Sequence, residues 1–298
     1  MKILIIGIGR IGSYLAYYLL NTDTSLKLFL YGHDPIKAEG LLHDLKEAFP
    51  NAQINAVKDI SDIEPVELTI MTFSTLKWFP QLNVNDRLIE GVNNLRILDS
   101  ISRDVPSESL GTILIISNPV DILTWHATIK FNTQNVFGFG ISLDEKRMAA
   151  VVSQKFGGDY LRVQCVGEHG HNIVPILSMI SEIENCSSIL YDELKNEMFI
   201  HTSKIIKNVS IPLFGPLREL ERLLPFFIGK SNGTISVSKY IDKPYMGISD
   251  LALGLPVQLQ KGKFIGFKKL GLNNVEYALF QKAANQIKNT YLSLINQV

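Results

Sequence analysis

Six residues near the N-terminus restrict the fold more than any other stretch: Gly7-Ile8-Gly9-Arg10-Ile11-Gly12. Before them, Lys2–Ile6 is a short apolar, β-branched run, as expected of a strand buried on both faces. After them, residues 13–20 read as a helix. Glycines in this order at a strand-to-helix turn have separate uses. Gly7 permits the tight turn, Gly9 lets a pyrophosphate approach the backbone, and Gly12 allows close helix packing. The first amides of the helix then face an anion. The segment predicts dinucleotide contacts at Gly7, Gly9, Arg10, Ile11 and Gly12. A purely structural glycine turn is the plainer alternative.

The pattern continues in the same style. Strands are predicted at 26–31, 67–72, 112–117 and 136–139, with helices at 36–49, 86–102 and 119–129 between them. Leu41, Leu42, Leu45 and Phe49 share one helical face. Alternating strand and helix after a glycine turn indicates a doubly wound parallel sheet. The second half reads differently, with helices at 145–156, 173–183 and 274–295 and strands at 160–166, 235–241 and 251–257. The fold class is therefore α/β: a Rossmann-type doubly wound parallel sheet followed by an α+β substrate domain. The division falls into a dinucleotide-binding domain over 1–140 and a substrate or catalytic domain over 141–298. No internal repeat or low-complexity linker separates them.

Charge narrows the partners. Lys and Arg total 29, as do Asp and Glu, so the formal net charge is zero. Nucleic acid and anionic membranes both favour a basic excess, which argues against either as a main partner. The two cysteines, Cys165 and Cys186, form no paired metal-binding or disulfide framework. The apolar N-terminus is broken by Arg10 and three glycines, unlike a signal peptide. No stretch approaches the roughly 20 apolar residues of a membrane span. A cytoplasmic protein is expected.

One usual partner of the glycine loop is missing. An acidic residue commonly ends the second strand and binds the ribose hydroxyls. Gly32 stands there, followed by His33 and Asp34. Asp34, beside Pro35, reads better as the start of the next helix than as a ribose ligand. Gly32 removes the repulsion of a 2′-phosphate, but no arginine nearby attracts one. NAD is expected, with NADP possible.

Three further segments carry chemistry: Ser117-Asn118-Pro119-Val120-Asp121, Leu143-Asp144-Glu145-Lys146-Arg147 and Gly167-Glu168-His169-Gly170. With the glycine loop, and in this order, they resemble the lactate/malate dehydrogenase superfamily along the whole chain. The segment 71–87 is similar in pattern to L-2-hydroxyisocaproate dehydrogenases, sharing the positions of Lys77, Asp86 and Arg87. The resemblance implies hydride transfer between a nicotinamide cofactor and a small 2-oxo or 2-hydroxy acid, in a homodimer or homotetramer.

It also implies roles. His169 is the expected acid/base, because imidazole titrates near working pH. Asp144 fixes its tautomer. Arg147, three residues on, shares its helical face and offers a planar fork to a substrate carboxylate. Arg87 polarises the substrate carbonyl when the mobile loop closes. Asn118 touches substrate and nicotinamide, and Ser210 fills the family's hydroxyl position in the pocket. Taken singly these are weak signals. Asp144 to Arg147 could be a solvated helix face, Arg87 an ordinary exposed arginine and His169 a satisfied structural histidine.

His171 departs from the family pattern. With His169 and Glu168 it could chelate a metal, but a third ligand with convincing spacing is lacking, so no metal is expected. Between Thr72 and Asp86 there is no arginine to pair a second substrate carboxylate, only Lys77. Trp78, Phe79, Pro80 and Leu82 make that loop apolar. The expected substrate is a monocarboxylic 2-oxo acid, pyruvate or a bulkier apolar one. Two rivals stand beside it: a dinucleotide-binding relative with little or no dehydrogenase activity, and a malate dehydrogenase.

Overall fold

A computed structural model describes residues 1–75, 84–170, 172–180, 183, 187–209 and 212–298, without the side chains of 84–88 and 209. The first half runs β1 (Lys2–Ile6), α1 (Arg10–Thr22), β2 (Lys27–Tyr31), α2 (Pro35–Ala48), β3 (Gln53–Val57), β4 (Leu68–Met71), α3 (Val84–Asp104), β5 (Thr112–Ile115), α4 (Val120–Lys130) and β6 (Val136–Gly138). Then follow α5 (Ile141–Phe156), β7 (Cys165–Gly167), β8 (Ile173–Pro175), α6 (Ser188–Val209), α7 (Phe214–Phe227), β9 (Gly233–Ile241), β10 (Leu251–Gln260), β11 (Lys263–Phe267) and α8 (Asn274–Ile295).

One sheet carries everything. Its order is β3-β2-β1-β4-β5-β6-β9-β10-β7-β8, with β11 pairing β10. The six strands from β3 to β6 are parallel, in the doubly wound order expected from the alternation. From β6 to β9 the pairing turns antiparallel and stays so.

The strands read as continuous apolar runs because both sheet faces are covered. In β1, Leu4 and Ile6 join one core cluster while Ile3 and Ile5 join the other. The first cluster takes buried residues from α3, α4 and α8. The second takes them from α1, α2 and α7, with Leu41, Leu42 and Phe49 packed at its edge around Leu45. A third, smaller cluster joins α5, α6 and β7.

Segment 173–183 is not the expected helix. It starts as strand β8, antiparallel to β7, and continues into a single tight turn at Leu177–Met179. Pro175 and the β-branched Ile173 and Val174 suit a strand against β7 better than a helix. Strand 160–166 shrinks to Cys165–Gly167.

Candidate active site

Loops at the C-terminal ends of β1, β4 and β5 meet where the strand order reverses, the usual crevice of open α/β sheets. The glycine loop lies there. Gly7 has φ +101°, and a Cβ on it would sit 2.5 Å from the Phe73 amide nitrogen. A Cβ on Gly12 would meet the Gly7 carbonyl oxygen at 2.0 Å, so α1 can approach the turn only with glycine there. The Thr72 hydroxyl donates to the same carbonyl. Gly9 differs, because its Cβ position faces open space. It is also the N-cap of α1, without a side-chain cap and without an acidic residue in the first turn. Free helix-end amides beside open space fit an anionic pyrophosphate. Arg10 and Ile11 open the helix beside it.

Gly32 follows β2. A Cβ there would lie 2.7 Å from the Ile8 side chain, which packs against this position. Asp34 is committed elsewhere, since its carboxylate accepts from the amides of Ile36 (3.0 Å) and Lys37 (3.3 Å) and caps α2.

The acid–base cluster is built on α5 and the turn after β7. His169 Nδ1 lies 2.6 Å from Asp144 Oδ2, and the Gly170 amide donates to the same oxygen at 3.0 Å. Asp144 is fully buried, while the imidazole is 21% exposed, so its Nε2 edge is the one left for a reactant. Burial pulls the imidazole pKa down, but the charge and hydrogen bond of Asp144, with Asp121 adding, hold it above its ordinary value. Arg147 Nη1 stands 3.6 Å from Asp144 Oδ1, one helical turn on. Burial lowers the guanidinium pKa and Asp144 only partly offsets this, leaving a partly desolvated cation that a carboxylate would satisfy.

Asn118 follows β5 with its side chain exposed. Its carbonyl accepts from the buried Asn94 side chain at 2.6 Å, and Asn94 also accepts from the Thr75 amide. Arg87 lies on α3, with its side chain outside the described residues, as are Ser210, His171, Cys186 and the loop residues Lys77, Trp78, Phe79, Pro80 and Leu82. Among the described residues, no group of three His, Cys, Asp or Glu could hold a metal ion. No described helix is long and apolar enough to cross a membrane.

Two residues escaped the sequence reading. Gly140 caps α5, and a Cβ there would lie 2.6 Å from His169 Cγ. Asp121 is 2% exposed and accepts from the His169 amide at 2.8 Å. Its place in the Ser117–Asp121 motif was the available signal.

Residues 1–138 match the family model of the lactate/malate dehydrogenase NAD binding domain. Along its length the chain is similar to members of the lactate/malate dehydrogenase superfamily. It is 27% identical to the L-2-hydroxycarboxylate dehydrogenase (NAD(P)(+)) of Methanocaldococcus jannaschii, covering 97% of both chains. Identity is 28% with L-lactate dehydrogenase 2 of Enterococcus faecalis, over 98% of this chain and 97% of the relative. The malate dehydrogenase of Methanosphaera stadtmanae is 27% identical over 99% and 98%. In fold, the chain is similar to the malate dehydrogenase of Plasmodium falciparum (TM-score 0.84, 19% identity, 99% of each chain). It is also similar to the minor L-lactate dehydrogenase of Enterococcus mundtii (TM-score 0.83, 22% identity, 98% of each chain).

Proposed function

We propose that this chain is an NAD(P)-dependent L-2-hydroxyacid dehydrogenase acting reversibly on a monocarboxylic 2-oxo acid, pyruvate or a bulkier apolar one. The observation that carries this reading is the His169–Asp144–Arg147 cluster, on the same chain as an anion-ready glycine loop. The nicotinamide, when bound, supplies or accepts the hydride. Arg147 grips the substrate carboxylate in its planar fork. His169 gives its Nε2 proton to the carbonyl oxygen during reduction and takes it back during oxidation. Asp144 holds the Nδ1 proton and favours the imidazolium. Arg87 polarises the carbonyl from α3, Asn118 borders the nicotinamide, and Ser210 lines the pocket. The cofactor half is 1–140 and the substrate half 141–298, in a cytoplasmic homodimer or homotetramer.

Relatives of three activities stand at nearly equal identity, so substrate preference rests on the loop. Its single Lys77 and its apolar Trp78, Phe79, Pro80 and Leu82 favour a monocarboxylate of the hydroxyisocaproate type over malate. A panel of 2-oxo acids that includes oxaloacetate, followed with NADH and NADPH at about 340 nm, tests this directly. Turnover of pyruvate or a branched 2-oxo acid is expected. Turnover of oxaloacetate alone would make the chain a malate dehydrogenase. Asp34 is bound to its helix and Gly32 lacks a carboxylate, so a weak preference between NADH and NADPH is expected. Calorimetry that shows NADH binding, with no 2-oxo acid reduced, would leave a dinucleotide-binding protein without this activity.

A further inference from the structure

Asp121 lies in the first turn of α4, almost fully buried beneath the turn that carries His169. Its Oδ2 accepts the His169 amide at 2.8 Å, whereas among the described residues Oδ1 has no well-formed hydrogen bond, only the Ser238 hydroxyl close to the carboxyl. A buried carboxylate with a spare oxygen is costly unless it does something there. The imidazole is faced by Asp144 and Arg147 from α5 and by Asp121 from α4. Asp121 is faced in turn by Ser238 from β9 and by Glu168 beside His169. Asp144 therefore holds the ring, and Asp121 holds the backbone that carries it.

We propose that Asp121 is a positioning residue for His169: it fixes the 167–170 turn through the His169 amide and adds negative charge behind the imidazole, so the protonation of His169 depends on the charge of Asp121. This deepens the reading of His169 as the acid/base and rests on it. The two groups are matched for such coupling. Burial raises the Asp121 carboxyl to about 7, while Ser238 and the His169 amide favour its charged form. His169 is held above its ordinary value partly by Asp121. Each ionisation therefore alters the other. Below neutrality Asp121 is mostly neutral and lends little support. Above it the carboxylate keeps the imidazolium charged to higher pH.

The test is an NMR titration of histidine-labelled protein, with the His169 signal assigned by its loss in His169→Gln. Asp121→Asn keeps an oxygen acceptor for the amide and removes the charge. The His169 midpoint should fall by about half a pH unit or more. The pH at which 2-oxo acid reduction declines should fall with it, because reduction needs the imidazolium. Ser238→Ala leaves the carboxyl in place but withdraws the hydroxyl that favours its charge. It should give a smaller shift in the same direction, and it decides alone if Asp121→Asn does not fold. Superimposable His169 curves in the parent and the folded variants overturn the proposal, even where Asp121→Asn lowers stability. If the parent reduces no 2-oxo acid, the functional reading falls while the NMR curves still decide the role of Asp121.

Discussion

Asp144 and Glu145 are consecutive on α5, and neither is more than 2% exposed, yet their surroundings differ. A helix turns about 100° per residue, so the two carboxylates leave it in different directions. Glu145 points into a saturated network, accepting from Arg162, the Gln164 side chain, the Ser236 hydroxyl and the Cys165 amide. Arg162 continues to Glu219 on α7 through two hydrogen bonds of 3.0 and 2.9 Å. Asp144 serves His169 and Gly170 with one oxygen, while among the described residues the other has only Arg147 at 3.6 Å. Saturation marks a carboxylate that holds elements together. Spare capacity beside an exposed imidazole edge fits the proposed role of a carboxylate positioned for chemistry.

Four substitutions test that contrast. Asp144→Asn should lower kcat/KM for the 2-oxo acid roughly 1,000-fold or more, because an amide cannot hold the Nδ1 proton and stabilise the imidazolium in the same way. Its urea midpoint should barely move; a large loss of stability with turnover kept would make Asp144 the structural member. Glu145→Ala should do the reverse, costing about 3 kcal/mol in urea unfolding by removing the buried acceptor shared by Arg162, Gln164, Ser236 and the Cys165 amide. Turnover per folded molecule should stay within several-fold of the parent.

Glu145→Gln sharpens the comparison through pH. Burial raises the Glu145 carboxyl to about 7. A raised carboxyl pKa favours the fold below the unfolded value and loses that contribution as pH climbs to the folded value. The parent therefore loses at most about 3 kcal/mol from this group between roughly pH 4.5 and 7. The stability of Glu145→Gln relative to the parent should rise over that window and then level off. A flat difference across it would show that Glu145 stays ionised throughout. Gly140→Ala is the smallest change: the new methyl meets the His169 ring, and a displacement well under 1 Å should cost about tenfold in kcat. Unchanged kcat would show that the ring position tolerates the shift.

Much of this was legible beforehand because it rests on local physics. The parallel half is a series of apolar runs separated by amphipathic helices, and both signals survive in a single sequence. β3 escaped because its residues alternate polar and apolar at the sheet edge, without an apolar run. Segment 173–183 was misread because its apolar density suits either element, and only the pairing of β8 with β7 decides between them. His169, Asp144 and Arg147 were legible as motif residues, and the fold brings the first and last within reach of the middle one. Asp121 and Gly140 act on His169 from elsewhere in the chain, one through a backbone amide and one by having no side chain. The Ser117–Asp121 motif pointed to Asp121 but not to this contact, and no local pattern points to Gly140.

The sheet order also bears on how the protein is made. The turn carrying His169 follows β7, which lies between β8 and β10 and meets β10 at Gly167 and Gly254. Synthesis from the N-terminus delivers the glycine loop first and β10 long after it. A nascent chain can thus complete the proposed cofactor-binding half while β7, already paired with β8, still lacks β10 on its other side. The glycine loop is therefore built early on the ribosome, and the strand before His169 gains its second neighbour only after β10 has been made.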